Sequence, residues 1–212
     1  MKEKKTTILT RLITSWIFFT RYLFGLIFFP YRTMRQIVKE KDNYQLFFIL
    51  IFVYGYFIFA TLMRNKTLNP FILSSSSLIT FIFFILTFIL TTSFFYLLGK
   101  LIKRDIDYKN LLFSFAFSLF PTITWFLFTS VVYFLIPPPR TFSFLGKSFS
   151  LIFLTISLSL LIWKLLLFYL SLRFSLKLSF YRLMIFIILY AAWFIPYSIF
   201  MYQIKIFRIP FI

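Results

Sequence analysis

The chain has 212 residues, of which 61% are hydrophobic and 36 are phenylalanine, more apolar surface than a soluble core of this size buries. Its formal charge is +18, but the Lys and Arg residues fall between long apolar runs. This pattern favours a topology signal that also attracts anionic lipid headgroups over nucleic-acid binding. The absence of Cys and His removes disulfides, the common metal ligands and the usual general base at neutral pH, so we expect no cofactor and no metal.

Residues 1–29 predict a basic N-terminal helix that lies in the membrane interface. The bulky residues before Pro30 offer no small-residue cleavage site, which argues against a signal peptide. Arg11 and Arg21 interrupt the apolar run, and an arginine at the centre of a span costs about 2.5–3.5 kcal/mol on insertion scales. We therefore favour an amphipathic interfacial helix over another span, followed by a polar connector over residues 30–45.

Residues 46–212 contain five apolar runs that are long enough to cross a hydrocarbon core about 30 Å thick. In lipid, backbone donors and acceptors must pair within each segment, so these runs are predicted to be helices. The expected fold class is all-α, a polytopic transmembrane helix bundle. The predicted spans are Leu46–Met63, Leu78–Leu98, Leu111–Ile136, Ser148–Leu172 and Leu183–Ile204.

The distribution of Lys and Arg predicts the orientation of the bundle. Sixteen of them lie in the N-terminal segment and in the two loops on its side of the membrane, against six on the other side. The positive-inside rule then places the N-terminus in the cytoplasm. We expect a multi-pass protein of the cell membrane, or of the endoplasmic reticulum or Golgi membrane if the source is eukaryotic.

Three spans carry polar residues at helical spacing. These are Thr80, Thr87 and Thr91 in the second span; Ser114, Ser118, Thr122, Trp125 and Thr129 in the third; and Ser150, Ser157, Lys164 and Ser171 in the fourth. Small hydroxylated residues let helices approach closely and hydrogen-bond, so a helix-packing face is favoured over a solute path. The candidate bundle-interior residues are Ser114, Ser118, Pro121, Thr122, Ser157 and Lys164.

Pro121 predicts a kink in the third span. Proline lacks the N–H that would bond to the carbonyl of Phe117 four residues earlier. We expect Ser118 or a neighbouring helix to satisfy the freed carbonyl group.

Lys164 is the one charged residue deep within a predicted span, which makes it a functional candidate. No acidic residue lies in any span to pair with it. Three readings remain open: snorkelling toward the interface, binding of a lipid headgroup, and a solute or ion path.

The acidic residues all lie outside the predicted spans. They are Glu3, Glu40, Asp42, Asp105 and Asp107. Proton-coupled carriers and intramembrane aspartyl proteases depend on carboxylates within the membrane. The positions one helical turn from Lys164 hold no serine, so a Ser–Lys pair on one helix is also excluded. We therefore expect that this protein is not an enzyme.

The loop Gly99–Asn110 is the candidate partner-facing surface because it combines basic and acidic residues between two spans. The residues singled out in it are Gly99, Lys100, Lys103, Arg104, Asp105, Asp107 and Tyr108. A protein partner or a second copy of the chain is the expected occupant, beside the lipid bilayer itself.

Several short motifs follow one another in order over roughly Pro30 to Ile204. They are Pro30-Tyr31-Arg32-Thr33-Met34, Gly99-Lys100, Ala116-Phe117-Ser118-Leu119-Phe120-Pro121, Trp163, Leu178-Ser179 and Arg182-Leu183. In their order and spacing they resemble the Yip family of five-span membrane proteins. The family's Gly-Tyr-Ser-x-x-Pro-like turn is present in a relaxed form, since Ala116 and Phe117 replace Gly-Tyr.

The resemblance implies a non-enzymatic scaffold, trafficking or membrane-organisation protein. Eukaryotic members act in vesicle trafficking and bind Rab GTPases or one another through a longer N-terminal region with an acidic motif. This sequence shows neither feature, so the expectation does not extend to Rab binding. The short tail and the abundance of Phe, Lys and Ile favour a prokaryotic-type member. The alternative function is a small-solute permease or channel that uses the Ser/Thr faces and Lys164.

Overall fold

The computed structural model describes residues 2–65, 70–102, 106–136 and 144–204. These residues form eight helices, with no strand among them, in agreement with the expected all-α bundle. The helices are α1 (Lys2–Phe28), α2 (Pro30–Glu40), α3 (Asn43–Asn65), α4 (Pro70–Ile102), α5 (Tyr108–Ser118), α6 (Phe120–Leu135), α7 (Phe144–Leu176) and α8 (Phe180–Gln203).

The predicted polar connector is a helix over most of its length. Pro30 occupies the first turn of α2, where its fixed φ suits a helix and its missing N–H costs no hydrogen bond. One face of α2 is buried against the bundle. It consists of Thr33, Met34, Ile37 and Val38. The pairs at 33/34 and 37/38 recur at helical spacing, a signal that the many charges of the segment obscured.

Helices α1 and α2 form a hairpin whose two helices are hydrogen-bonded to each other and to the start of α3. The Tyr22 hydroxyl donates to Glu40, and the Ser15 hydroxyl donates to Asp42, which immediately precedes α3. At the turn, Gly25 lies so close to Thr33 that an added Cβ would meet the Thr33 Oγ1 at 2.5 Å. The middle of α1 is therefore level with the end of the bundle at which α3 begins.

Helices α3 to α8 contain the five predicted spans and extend most of them by a few residues. Antiparallel contacts connect α3 with α4, α5 and α6 with α7, and α4 and α7 with α8. Phenylalanine dominates the interior, and Phe95, Phe113 and Phe117 are among its largest fully buried side chains. Because α3, α5 and α8 begin and α4 and α7 end on the side that carries most of the Lys and Arg, we call this side the basic end.

The third predicted span is interrupted where Pro121 predicted it. Helix α5 ends at Ser118 and α6 begins at Phe120, with Pro121 in its first turn. The amide of Leu119 turns back to the carbonyl of Ala116 at 3.2 Å. The interruption is thus confirmed, although the carbonyl that receives a donor from another helix is that of Ser118 and not of Phe117.

Six helical segments are long and apolar enough to cross a membrane by length and composition. The additional one is Leu9–Phe28 of α1, which has the lowest mean hydropathy of the six, 1.2. The five-span count is therefore not confirmed. Helix α1 is also part of the bundle core, because Phe19, Tyr22 and Leu26 are buried in the same cluster as residues of α3, α5 and α7.

Two lysines adopt a backbone conformation that ordinarily belongs to glycine. Lys41 caps the C-terminus of α2 with φ 45°, and Lys177 follows α7 with φ 52°. Their amides close the helix ends on the carbonyls of Ile37 and Arg173. A left-handed residue with a Cβ is strained by about 1–2 kcal/mol, which glycine avoids.

We expect Lys177→Gly to stabilise the protein by about 1 kcal/mol because it relieves this strain at the cost of some chain entropy. Thermal unfolding of the purified protein in detergent measures the change. Lys177→Ala is the matched control, since it removes the same charge but keeps the Cβ. Equal melting temperatures for the two variants would contradict the strain argument.

Candidate functional site

A line of polar groups, side chains and backbone carbonyls together, runs between α5/α6 and the antiparallel helix α7; we call it the polar seam. Its members are Asn110, Ser114, Ser118 and Trp125 on one side and Ser157, Lys164, Ser171 and Ser175 on the other. Ser114, Ser118 and Trp125 of the third-span stripe therefore face Ser157, Lys164 and Ser171 of the fourth. Ser150 of the predicted stripe is instead exposed and donates to the carbonyl of Gly146 on its own helix. Ser175 and Asn110, which continue the seam toward the basic end, were not singled out from the sequence.

The serines near the basic end are bonded to each other and to backbone carbonyls. The Ser114 and Ser175 hydroxyls lie 2.7 Å apart, and the Ser171 hydroxyl donates to the carbonyl of Ser114 at 3.0 Å. The Ser175 hydroxyl also lies 2.9 Å from the carbonyl of Asn110. Ser114 and Ser171 are fully buried, and the bilayer interior supplies no water to their polar groups. The hydrogen bonds between the helices therefore satisfy these groups.

Lys164 reaches the helix interruption at Pro121. Its side chain is only 8% exposed, and Nζ donates to the carbonyl of Ser118 at 3.1 Å. The Ser118 hydroxyl itself donates to the carbonyl of Phe115 at 2.8 Å. The lysine side chain thus lies across the bundle interior. It is hydrogen-bonded to the backbone at the interruption, where proline removes regular helical hydrogen bonds.

Two largely apolar cavities flank Lys164. One of about 350 Å³ lies between α6 and α7 beside Pro121 and Thr122, and its wall includes Trp125, whose Nε1 donates to the Ser157 hydroxyl at 3.1 Å. The other, of about 470 Å³, lies between α7 and α8. The structure therefore brings all six candidate interior residues close to one another or to the polar seam.

A second set of polar contacts joins α4 to α8. The Thr87 hydroxyl lies 2.8 Å from that of Tyr197, and the Thr91 hydroxyl lies 3.3 Å from that of Tyr190. Sequence reasoning found the threonine stripe but missed its tyrosine partners, because tyrosine in an apolar span reads as a lipid-facing aromatic residue.

The predicted partner-facing loop is shorter than expected. Helix α4 continues through Ile102, so Gly99 and Lys100 are helical. Gly99 is buried against Ile106 and Leu176, each 2.7 Å from the position of an added Cβ, and is not available to a partner. Lys100 is exposed, with its ammonium 5.8 Å from the centre of the Tyr96 ring.

The acidic part of the loop connects the N-terminal hairpin to the bundle. Asp107 caps α5 by accepting the amide of Lys109 at 3.0 Å, and it forms an ion pair with Lys41 at the end of α2. Tyr108 packs edge-on against Tyr96 at 5.4 Å. Lys103, Arg104 and Asp105, also singled out from the sequence, lie outside the described residues.

The long apolar helices, their interhelical hydroxyl bonds and the charged basic end define an α-helical integral membrane protein with several crossings. The model of the Yip1 domain family matches residues 24–202, which is most of the chain. The chain therefore belongs to the Yip1 domain family, in agreement with the resemblance of its loop and proline motifs. Comparisons with curated proteins and with solved structures give no match.

The cap and the ion pair of Asp107 are separable by mutation and by pH. The hydrogen bond from Lys41 is the main reason that the pKa of the Asp107 carboxyl lies below its usual value. A lowered pKa means that the ionised carboxylate stabilises the fold above about pH 4 and that this contribution is lost as the pH falls through the folded value. We expect hydrogen exchange at the Lys109 amide to accelerate, after correction for intrinsic rates, between pH 6 and pH 3.

Asp107→Asn is the matched control, because asparagine still caps a helix but does not titrate. In this variant, the corrected rate of hydrogen exchange at the Lys109 amide should be the same at pH 6 and at pH 3. Asp107→Ala removes the cap as well and should lower the free energy of unfolding by about 1 kcal/mol. The same pH dependence in the Asn variant as in the wild type would exclude Asp107 as the titrating group.

Proposed function

We propose that this protein is a non-enzymatic scaffold that organises partners or lipids at its membrane. The proposal rests on the observation that buried polar side chains form hydrogen bonds between helices. Ser114, Ser171 and Lys164 are each hydrogen-bonded to a neighbouring helix. Groups engaged in this way hold helices together and are not poised as a nucleophile and base. The surface left for function is then the basic end.

We also propose that the basic end faces the cytoplasm and that the chain crosses the cell membrane five times. The positive-inside rule supports this orientation. The hydrogen bond between Ser15 and Asp42 supports five spans and not six, because it holds the middle of α1 level with the start of α3. A helix whose midpoint lies at the headgroup level enters the bilayer only partway, which also keeps Arg11 and Arg21 near water.

The partner-facing surface in this proposal is the exposed end of α4 and the start of α5, on either side of the loop that joins them. Lys100 and Lys109 are exposed there, and Tyr108 is half-buried beside them. Asp107 is excluded from partner binding in this scheme because Lys41 already occupies its carboxylate.

The test is affinity purification of the tagged protein from its own membrane in a mild detergent. The charge reversal Lys100→Glu/Lys109→Glu should reduce a specific co-purifying protein at least fivefold. Lys147→Glu, at the exposed start of α7 on the opposite end, is the control and should leave the yield unchanged. Equal recovery of the same proteins by all variants would remove the support for a partner surface at this loop.

A second candidate function is a small-solute permease or channel. The observation that favours it is the position of Lys164 in the walls of two cavities, on the α6 side and on the α8 side of α7. A buried cation between two cavities can bind an anionic solute.

The purified protein in liposomes loaded with chloride, nitrate or phosphate tests this candidate. If the protein is a permease, we expect flux above that of empty liposomes, reduced at least tenfold in Lys164→Met. Methionine keeps most of the volume of the side chain, so a folded variant with unchanged flux would exclude Lys164 as the binding group. Ser159→Ala, on the exposed face of α7, is the control.

A further inference from the structure

A basic cavity of about 610 Å³ opens where α2, α5 and α7 meet at the basic end. Its polar lining consists of Arg35, Lys39, Lys41, Arg173, Lys177 and Asn110. The cations come from two segments more than 130 residues apart in sequence, so the charge pattern of either segment alone does not reveal the site. Among the described residues, no carboxylate lines the cavity.

The positive charge of the basic cavity exceeds what the described residues around it neutralise. Among its five cations, Lys41 is paired with Asp107. The C-terminal ends of α2 and α7 contribute about half a negative charge each through their helix dipoles. Roughly three positive charges remain, and in the described part of the chain Arg35, Lys39 and Lys177 form no ion pair.

The backbone of the basic cavity is strained at two of its cations. Lys41 and Lys177 are the two non-glycine residues with positive φ in the described ranges, and both line this cavity. Glycine or asparagine is the usual residue at such a helix end. At both positions this protein has a lysine instead, so a positive charge lies where the backbone conformation disfavours a lysine. Strain retained at two positions of one cavity is characteristic of a binding site.

Arg173 of the basic cavity contacts a residue of an apolar groove that runs along the bundle. Arg173 Nη1 donates to the Tyr169 hydroxyl at 3.1 Å, and Tyr169 lines the cavity of about 470 Å³ between α7 and α8. That cavity extends along α8 from Phe180 to Ile195, about 22 Å at the helical rise. One leaflet of a hydrocarbon core is about 15 Å thick, so the groove is long enough for one acyl chain.

We propose that the basic cavity and this groove together bind one anionic phospholipid, with its phosphate among the cations and an acyl chain between α7 and α8. Arginine and lysine recognise a phosphate by charge-assisted hydrogen bonds, and the groove supplies apolar surface that a free phosphate does not use. The inference rests on the proposed placement of the basic end at the headgroup level. It does not depend on the partner surface between α4 and α5.

The first test measures the headgroup site. The full chain in detergent is titrated with palmitoyl-oleoyl phosphatidylglycerol, and bound lipid is counted by native mass spectrometry, with the phosphatidylcholine of the same chains as reference. Arg35→Gln/Lys177→Gly should weaken phosphatidylglycerol binding at least tenfold. Because Lys177→Gly is expected to raise the melting temperature, loss of binding in this variant is not explained by unfolding.

The matched control for charge is Arg32→Gln/Arg182→Gln. Both arginines are exposed, and neither lines the basic cavity. This control removes the same number of positive charges and should change binding by at most twofold, since neither arginine lines the cavity in which the phosphate is held. Equal losses in the two double variants would overturn the site and leave only general attraction to a basic surface.

The second test measures the groove and the source of the phosphate. Ala191 lines the groove and Ala192 is its exposed neighbour, so Ala191→Trp should weaken phosphatidylglycerol binding at least fivefold and Ala192→Trp should not. Glycerol 3-phosphate should compete only at concentrations at least a hundredfold above those of the lipid. Competition at similar concentrations, with no effect of Ala191→Trp, would overturn the lipid proposal in favour of a soluble phosphate compound.

These outcomes are distinct from those of the scaffold proposal. Loss of phosphatidylglycerol selectivity with an intact co-purifying partner rejects the lipid site alone. Loss of the partner in Lys100→Glu/Lys109→Glu with unchanged lipid binding supports the partner surface and leaves the lipid site unaffected.

Discussion

The contact on which the interior depends is the hydrogen bond from Lys164 to the carbonyl of Ser118. Pro121 interrupts the helix that carries Ser118, and in a bilayer no water is present to satisfy the freed backbone. Lys164 supplies a donor from the neighbouring helix, and the serines on either side of it align α5/α6 with α7. A cation within an apolar span therefore has a structural partner at the point where the backbone needs one.

The N-terminal hairpin has a comparable role at the basic end. It uses Glu40 and Asp42 internally, and Lys41 connects it to Asp107 at the start of α5. Few acids then remain to offset the Lys and Arg gathered there. The family's membrane domain is thereby combined with a concentrated positive charge at the level where headgroups lie, which is the physical basis for both proposals on partners and lipids.

The stripes in the third and fourth spans were predictable because helical periodicity places Ser114, Ser118 and Lys164 on definite faces. Helix α2 was less visible, since its charges gave Pro30–Glu40 the composition of a loop although its apolar pairs follow a helical period. The role of Gly99 was also not predictable. Whether a glycine lies in a loop or beneath another helix depends on Ile106 and Leu176, which approach it only in the folded bundle.

The sequence by itself determined the solvent of the protein, its all-α class, the approximate bounds of its spans, the interruption at Pro121 and the family. The family rests on the resemblance of short motifs, and the other features follow from local composition and period, because a backbone in lipid must satisfy its own hydrogen bonds within each segment. Only the tertiary structure decided that Lys164 meets the Ser118 carbonyl, that Asp107 pairs with Lys41 and that five cations share one cavity. Those outcomes depend on which helices become neighbours, and side-chain pairing between distant segments leaves no periodic signal in either segment.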